Sequence, residues 1–298
     1  MKEVTDSGNL KVLYPSYTYF LDLLKAKKQF NYTRIQHGVS DVLIESYSDI
    51  NELLKDIQSQ DWLKISTQVV QANHGVLQFW HKTSNPILEK FAASYRIMYE
   101  GNSLIPNLHL GVSAGIGFGK NGHGSLLETN PMQQNRALVM QTLTQRVDKI
   151  YHGGIPRHMS VMGETFDFFD KLNQMEFDVV IYGPMYMKEY RNIFKINSFH
   201  HLPIAPTGAI GEIENIFPQL IEYCTKLKNP LILNCSGHII SQLLAYNLRN
   251  TSISNFDIGI GFNWNIREIL RTKYPDVNNP WIRKNENFLK KCILNIRK

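Results

Sequence analysis

Residues Asn234 to His238, NCSGH, stand between the apolar run PLIL and the helically spaced IISQLLAYNL. A strand that enters a helix through such a turn leaves the helix's first N–H groups without internal partners. They carry the positive end of the helix dipole. Gly237 lets a ligand reach the backbone with no Cβ in the way, Ser236 offers a hydroxyl and His238 an imidazole. The chemistry implied is the holding of an anion, a diphosphate above all. The plain alternative is a tight connection with Ser236 as an ordinary N-cap, because neither GxGxxG nor a Walker lysine is present. Two more turns share this character. APTGAIGE presents Thr207 and Gly208 before a helix. FDIGIGFNW, which includes Asp257, ends a strand with two glycines, Gly259 among them, and adds Asn263 and Trp264, an indole suited either to stacking on a base or to filling the core.

Groups for proton transfer gather elsewhere. RIQHGVSD brings Arg34, His37, Gly38 and Asp41 together after a short apolar run, and a neutral imidazole is well tuned as a base near pH 7. The glycine-rich stretch 114–131 carries Lys120, His123 and Glu128, and reads as a loop able to close over an acceptor or as a plain surface connection. Glu128 is a second candidate base, or a carboxylate favourable to the helix that follows.

The elements needed to position these groups are legible as alternation. Helical spacing covers 15–29, 49–60 with Asp49 or Ser48 as cap, 87–101, and 129–154, which opens with a Thr/Asn cap and Pro131 and closes on Gly153-Gly154. FNYTRI reads as a strand, QHGVSD as a turn and NLHLGVS as a strand. From Gly163 onward helices at 163–175, 189–194, 212–228 and 238–250 alternate with strand-like runs FDVVIYGP, SFHHLPIA, PLILNCS and FDIGIGF. Near-continuous apolar strands between helices predict an α/β fold: a Rossmann-like, doubly wound, mostly parallel sheet with helices on both faces. In such sheets ligands sit beyond the carboxyl ends of the strands, where all three polar turns would lie.

At 298 residues the chain is expected to form one α/β domain, with a divergent or inserted region at about 50–160 and a basic helical segment at 266–298. A hydrophobic fraction of 43% against 19% charged predicts a soluble protein with a substantial core. No apolar run is long enough for a transmembrane helix, and the N-terminus has no signal core, so a cytoplasmic location is expected. Cys224, Cys235 and Cys292 lack metal-site spacing and read as free thiols in a reducing compartment. Residues 266–298 hold nine Lys/Arg and three Asp/Glu, which leaves 23 of each elsewhere; the whole +6 net charge sits in that segment. Such a face attracts phosphates, or is an ordinary solvated helix surface.

The ordered set FDVVIYGP, IAPTGAIGEIENIFPQLIEYC, PLILNCSGHIISQLLAYNLRN and FDIGIGFNWNIREI resembles bacterial glycosyltransferases of the GT-D fold, as does the opening LLKAKKQFNYTRIQHGVSD. The likeness covers about two thirds of the chain and is poor over 50–160. It implies transfer of a sugar from a nucleotide-diphosphate sugar, UDP-sugar favoured, to a hydroxyl. It also implies donor contacts from Arg34, Gly38, Thr207, Gly208, Asn234, Ser236, Gly237, His238, Asp257, Gly259 and Asn263. His37, Asp41 and Glu128 are then the candidate catalytic groups. Where the family carries an acidic DxE-type run that holds a divalent metal, this sequence has RIQHGV, with His37 and Val39 in place of the acids and Asp41 two residues on. One imidazole and one displaced carboxylate make a poor cage for Mg²⁺ and a better one for Mn²⁺, so metal independence is the expectation, with His37 and Asp41 the ligands of any Mn or Mg ion. Lys120, His123, Trp264, Arg267, Arg271 and Lys273 are the candidate acceptor contacts. A cleft bordered by cations suits a polyanion, which favours a hydroxymethylated base in DNA, by analogy with phage DNA-modifying glycosyltransferases. A bacterial surface glycan or glycoprotein is the competing acceptor. Outside this class stand a non-catalytic nucleotide or nucleic-acid binder and a dinucleotide oxidoreductase, the latter disfavoured by the missing GxGxxG.

Overall fold

The structure, a computed structural model, describes residues 2–5, 11–35, 37–72, 85–112, 131–204, 209–266, 272–273, 290 and 293–294. Its strands are β1 (Lys2–Thr5), β2 (Lys11–Tyr14), β3 (Asn31–Ile35), β4 (Leu108–Val112), β5 (Ile150–His152), β6 (Asp178–Gly183), β7 (Ser198–Pro203), β8 (Pro230–Asn234) and β9 (Ser254–Asp257). They form one sheet in the order β1-β2-β5-β4-β3-β9-β8-β6-β7. The β1–β2 pairing is antiparallel and every other pairing is parallel. The stretch 50–160 supplies β4 and β5 to this same sheet.

The helices are α1 (Tyr17–Lys25), α2 (His37–Glu45), α3 (Ile50–Ser59), α4 (Trp62–Ala72), α5 (Asn85–Glu100), α6 (Pro131–Thr144), α7 (Ile155–Val161), α8 (Glu164–Gln174), α9 (Tyr190–Ile193), α10 (Ala209–Thr225) and α11 (His238–Leu248). They cover both faces of the sheet. Alternation along each strand sorts its side chains into two cores. Ile35, Leu110, Val180 and Ile232 face α2–α6, α10 and α11. Tyr32, Tyr151, Val179, Leu233 and Phe256 face α1, α7, α8 and α9. Each such wholly buried side chain contributes about 1.5–3 kcal/mol relative to exposure. On the second face Phe20 anchors an aromatic cluster, 4.8 Å from Phe256 and 5.1 Å from Phe30 between ring centroids. The doubly wound expectation therefore holds, and among the described residues no helix is long and apolar enough to cross a membrane.

Local signals mark several ends. Asp49 caps α3 by accepting from the Asn51 N–H at 2.9 Å. Gly101, at φ +50°, directly follows the last residue of α5, where the α-helix stops. Two expectations are corrected. QHGVSD is not a turn, because α2 begins at His37 and buries Val39 and Leu43 in the first core. The helix expected over 129–154 stops at Thr144. Ile150–His152 instead forms β5, fully buried between β4 and β2, so parallel pairing on both sides overrides helical spacing there.

Candidate functional site

Neighbouring strands β3 and β9 send the chain to opposite faces. After β3 comes α2 on one core; after β9, Ile258 and Phe262 enter the other. That divergence makes a topological switch point at the carboxyl ends of these strands, the place where doubly wound sheets hold ligands. At that point lies a buried ion pair. Arg34 at the end of β3 donates from Nη2 to Asp257 Oδ1 of β9 at 2.8 Å, with side-chain exposures of 6% and 4%. Burial alone lowers the Arg34 pKa, but attraction and hydrogen bonding to Asp257 outweigh it, so the pKa is raised and the guanidinium stays charged.

Gly259 makes room for that guanidinium. Its φ is +45°, and a Cβ there would lie 1.9 Å from Arg34 Nη2. The Asn234 carbonyl of β8 accepts from the Ile258 and Gly259 N–H groups, which fixes the turn. The Asn234 side chain fixes the next one: its Oδ1 accepts from the Ser236 N–H at 3.0 Å and from Ser236 Oγ at 2.5 Å. Ser236 is thus not the N-cap. Gly237 is, at φ +88° and ψ 167°, with no side-chain capping bond. Among the described residues, a Cβ on Gly237 would meet nothing within 4 Å, so that position has open space beside it. One turn on, Gln242 Nε2 donates to the Arg34 carbonyl at 2.9 Å and ties α11 to β3.

The residue that the spacing did not single out is Arg157. It lies half-buried on α7 and feels the Arg34 charge; burial first, and that repulsion second, push its pKa down. Among the described residues it has no ion-pair partner. Arg34 takes the Asp257 carboxylate, and Arg157 adds a second positive charge close enough to feel that of Arg34. A signal was present in GGIPRHM. Arg157 sits in the first turn of a helix, where the macrodipole opposes a cation, so its placement needs a reason beyond local helix stability. Gly261 presses this segment from the other side, since a Cβ there would come within 2.9 Å of the Arg157 backbone nitrogen.

Behind Arg157 lies His152 of β5. Its Nδ1 accepts from the Gly154 N–H at 3.0 Å, which places the proton of the neutral ring on Nε2. Burial, then the Arg157 charge, push its pKa down to about 4. Tyr14 and His158 are joined at 2.9 Å beside it.

Other expected site residues have different surroundings. Both oxygens of Asp41 are held by Arg136, Nη2 to Oδ2 at 2.8 Å and Nε to Oδ1. Asn263 is buried and bonds Tyr190 and Tyr186 through its amide, so it braces α9 and the 3-10 turn before it. Trp264 is 7% exposed and packs with Val161 and Ile293; it is a core aromatic, which corrects its assignment as a stacking platform. Lys273 is exposed and lies 3.4 Å from Glu189. His37, Gly38 and His238 belong to the first turns of α2 and α11. Lys120, His123, Glu128, Thr207, Gly208, Arg267 and Arg271 lie outside the described residues.

Asp257 is engaged by Arg34 and Asp41 by Arg136, and among the described residues no three His, Cys, Asp or Glu side chains converge. Hard cations need several free oxygen ligands. What these strand ends present is two guanidiniums, backbone N–H groups and, among the described residues, a glycine with open space beside it. Comparison with protein-family models, curated proteins and solved structures finds no match for this chain. The likeness to GT-D glycosyltransferases rests on the ordered set of segments alone.

Proposed function

We propose that this protein is a glycosyltransferase that takes a sugar from a nucleotide-diphosphate sugar, a UDP-sugar in first place, and passes it to a hydroxyl acceptor. The observation that carries the reading is the Arg157 charge, without an ion-pair partner among the described residues, near the Arg34–Asp257 pair at the strand ends from which α11 starts. A diphosphate supplies the missing negative charge and accepts hydrogen bonds at these strand ends. As the bond from the sugar's anomeric carbon to the diphosphate breaks, its electron pair passes to the leaving oxygen. Charge growing there is met by fixed cations and N–H dipoles in a site of low polarity. The acceptor oxygen bonds to the same carbon and gives its proton to a base. With Asp41 held by Arg136, His37 is the candidate for that role.

The acceptor we favour is a hydroxymethylated base in DNA, on the strength of the nine Lys/Arg in residues 266–298. A steep fall of DNA affinity with rising salt is expected, and no affinity at low salt would remove DNA as the acceptor. The donor reading is tested by thermal shift with UDP-sugars, GDP-sugars, NAD and S-adenosylmethionine, on the wild type and Arg157→Met. A ligand that binds the native state raises its midpoint. UDP-sugars should do so in the wild type and much less in the variant. A response to NAD or S-adenosylmethionine alone refutes the proposal.

A further inference from the structure

Under α11 the sheet presents polar atoms where a core should be apolar. By the alternation that turns Ile35 and Ile232 toward this helix, Thr33 of β3, Asn255 of β9 and Asn234 of β8 face the same way. Asn255 stands between Asn31 and Ile232 in the strand register, and Asn234 is paired with Asp257 at the carboxyl edge. From above comes Gln242 of α11, bonded to the Arg34 carbonyl, with Ser241 next to it in the same buried helix turn, and all five side chains are wholly buried. Among the described residues, Thr33 Oγ1, Asn255 Nδ2 and Oδ1, Asn234 Nδ2, Ser241 Oγ and Gln242 Oε1 have no hydrogen-bond partner.

We propose that this seam between α11 and strands β3, β9 and β8 binds a column of ordered water molecules, with Thr33, Asn255, Asn234, Ser241 and Gln242 as its ligands. Leaving six buried polar atoms unpaired would cost as much as the whole net stability of a typical domain, so the folded chain must satisfy them. Their chemistry selects the occupant. Asn234 Nδ2 and Asn255 Nδ2 are donors, Asn255 Oδ1 and Gln242 Oε1 are acceptors, and the two hydroxyls serve either way. A cation needs acceptors alone and an anion donors alone. Water both donates and accepts, and a buried water makes two to four such bonds. The column ends under Asn234, whose Oδ1 holds both the N–H and the hydroxyl of Ser236. The water therefore braces the turn that opens α11 as well as filling the seam.

The test is a high-resolution crystal structure of the full chain, together with the thermal midpoint of Thr33→Val. Water density bonded to two or more of the named atoms supports the proposal. So does a midpoint lowered by about 2–4 °C in the variant, because a satisfied hydroxyl has been lost. A dry seam, closed by direct bonds among these side chains, overturns it. So does a variant as stable as the wild type or more so, the result expected of a hydroxyl that bonds nothing. If Thr33→Val fails to fold, Ser241→Ala provides the same comparison at the other wall, and the density is read on the wild type in any case.

Discussion

Replacing Asp257 by asparagine keeps the side-chain volume and removes its charge, leaving the Arg34 guanidinium uncompensated while it still feels the Arg157 charge. Breaking a buried pair by removing one partner costs about 3–5 kcal/mol. The asparagine oxygen can still accept from Arg34, so the lower end of that range applies. For 298 residues the unfolding entropy is about 0.6 kcal/mol per degree, and 3 kcal/mol lowers the midpoint by about 5 °C. Differential scanning calorimetry reads this directly. Adding pyrophosphate gives the second half of the experiment. The variant's site has one more uncompensated positive charge than the wild type's, so pyrophosphate should recover more stability in Asp257→Asn than it adds to the wild type. The double variant Arg34→Met/Asp257→Leu removes both charges, and should regain most of the lost stability while losing much of the pyrophosphate response. A midpoint for Asp257→Asn within about 1 °C of wild type, or a weaker pyrophosphate response than wild type, refutes the reasoning.

Gly259→Ala is expected to destabilise by at least about 1–2 kcal/mol from its left-handed backbone alone, and to displace the Arg34 guanidinium that lies where the Cβ would go. A chemical denaturation curve and the loss of the pyrophosphate shift check both effects. Burial pushes His152 and His109 down to about 4, so each stays neutral in the folded chain while the unfolded chain protonates near pH 6.5. Their stabilising contribution is complete above pH 6.5 and is lost as pH falls toward 4, by about 2 kcal/mol each at pH 5. Urea midpoints from pH 7.5 to 5 should fall accordingly, and a flat profile would contradict the burial of these rings. Burial also pushes the Cys224 and Cys235 thiols up to about 12. Mass spectrometry should find both unmodified by iodoacetamide at pH 8 in the native protein and alkylated once it is unfolded.

Strand–helix alternation in the C-terminal half, the cap at Asp49, the stop at Gly101 and the open turn at Gly237 were legible in the chain itself, because each follows from periodicity or from the φ angles that particular residue types allow. Arg34, Asn234, Asp257 and Gly259 were also legible as a group, since all lie at strand ends that a doubly wound sheet brings to one edge. Their roles were not. Asp257 and Gly259 serve Arg34, a partner more than two hundred residues away, and no local pattern records such a pairing. Arg157 broke a helix rule, and only the packing of α7 against the segment after β9 brings it within reach of the Arg34 charge. Residues 37–45 and 150–152 were misread because short segments take their form from what buries them. Helical spacing and strand pairing differ little in free energy over three to nine residues, and the tertiary neighbours on both sides decide between them.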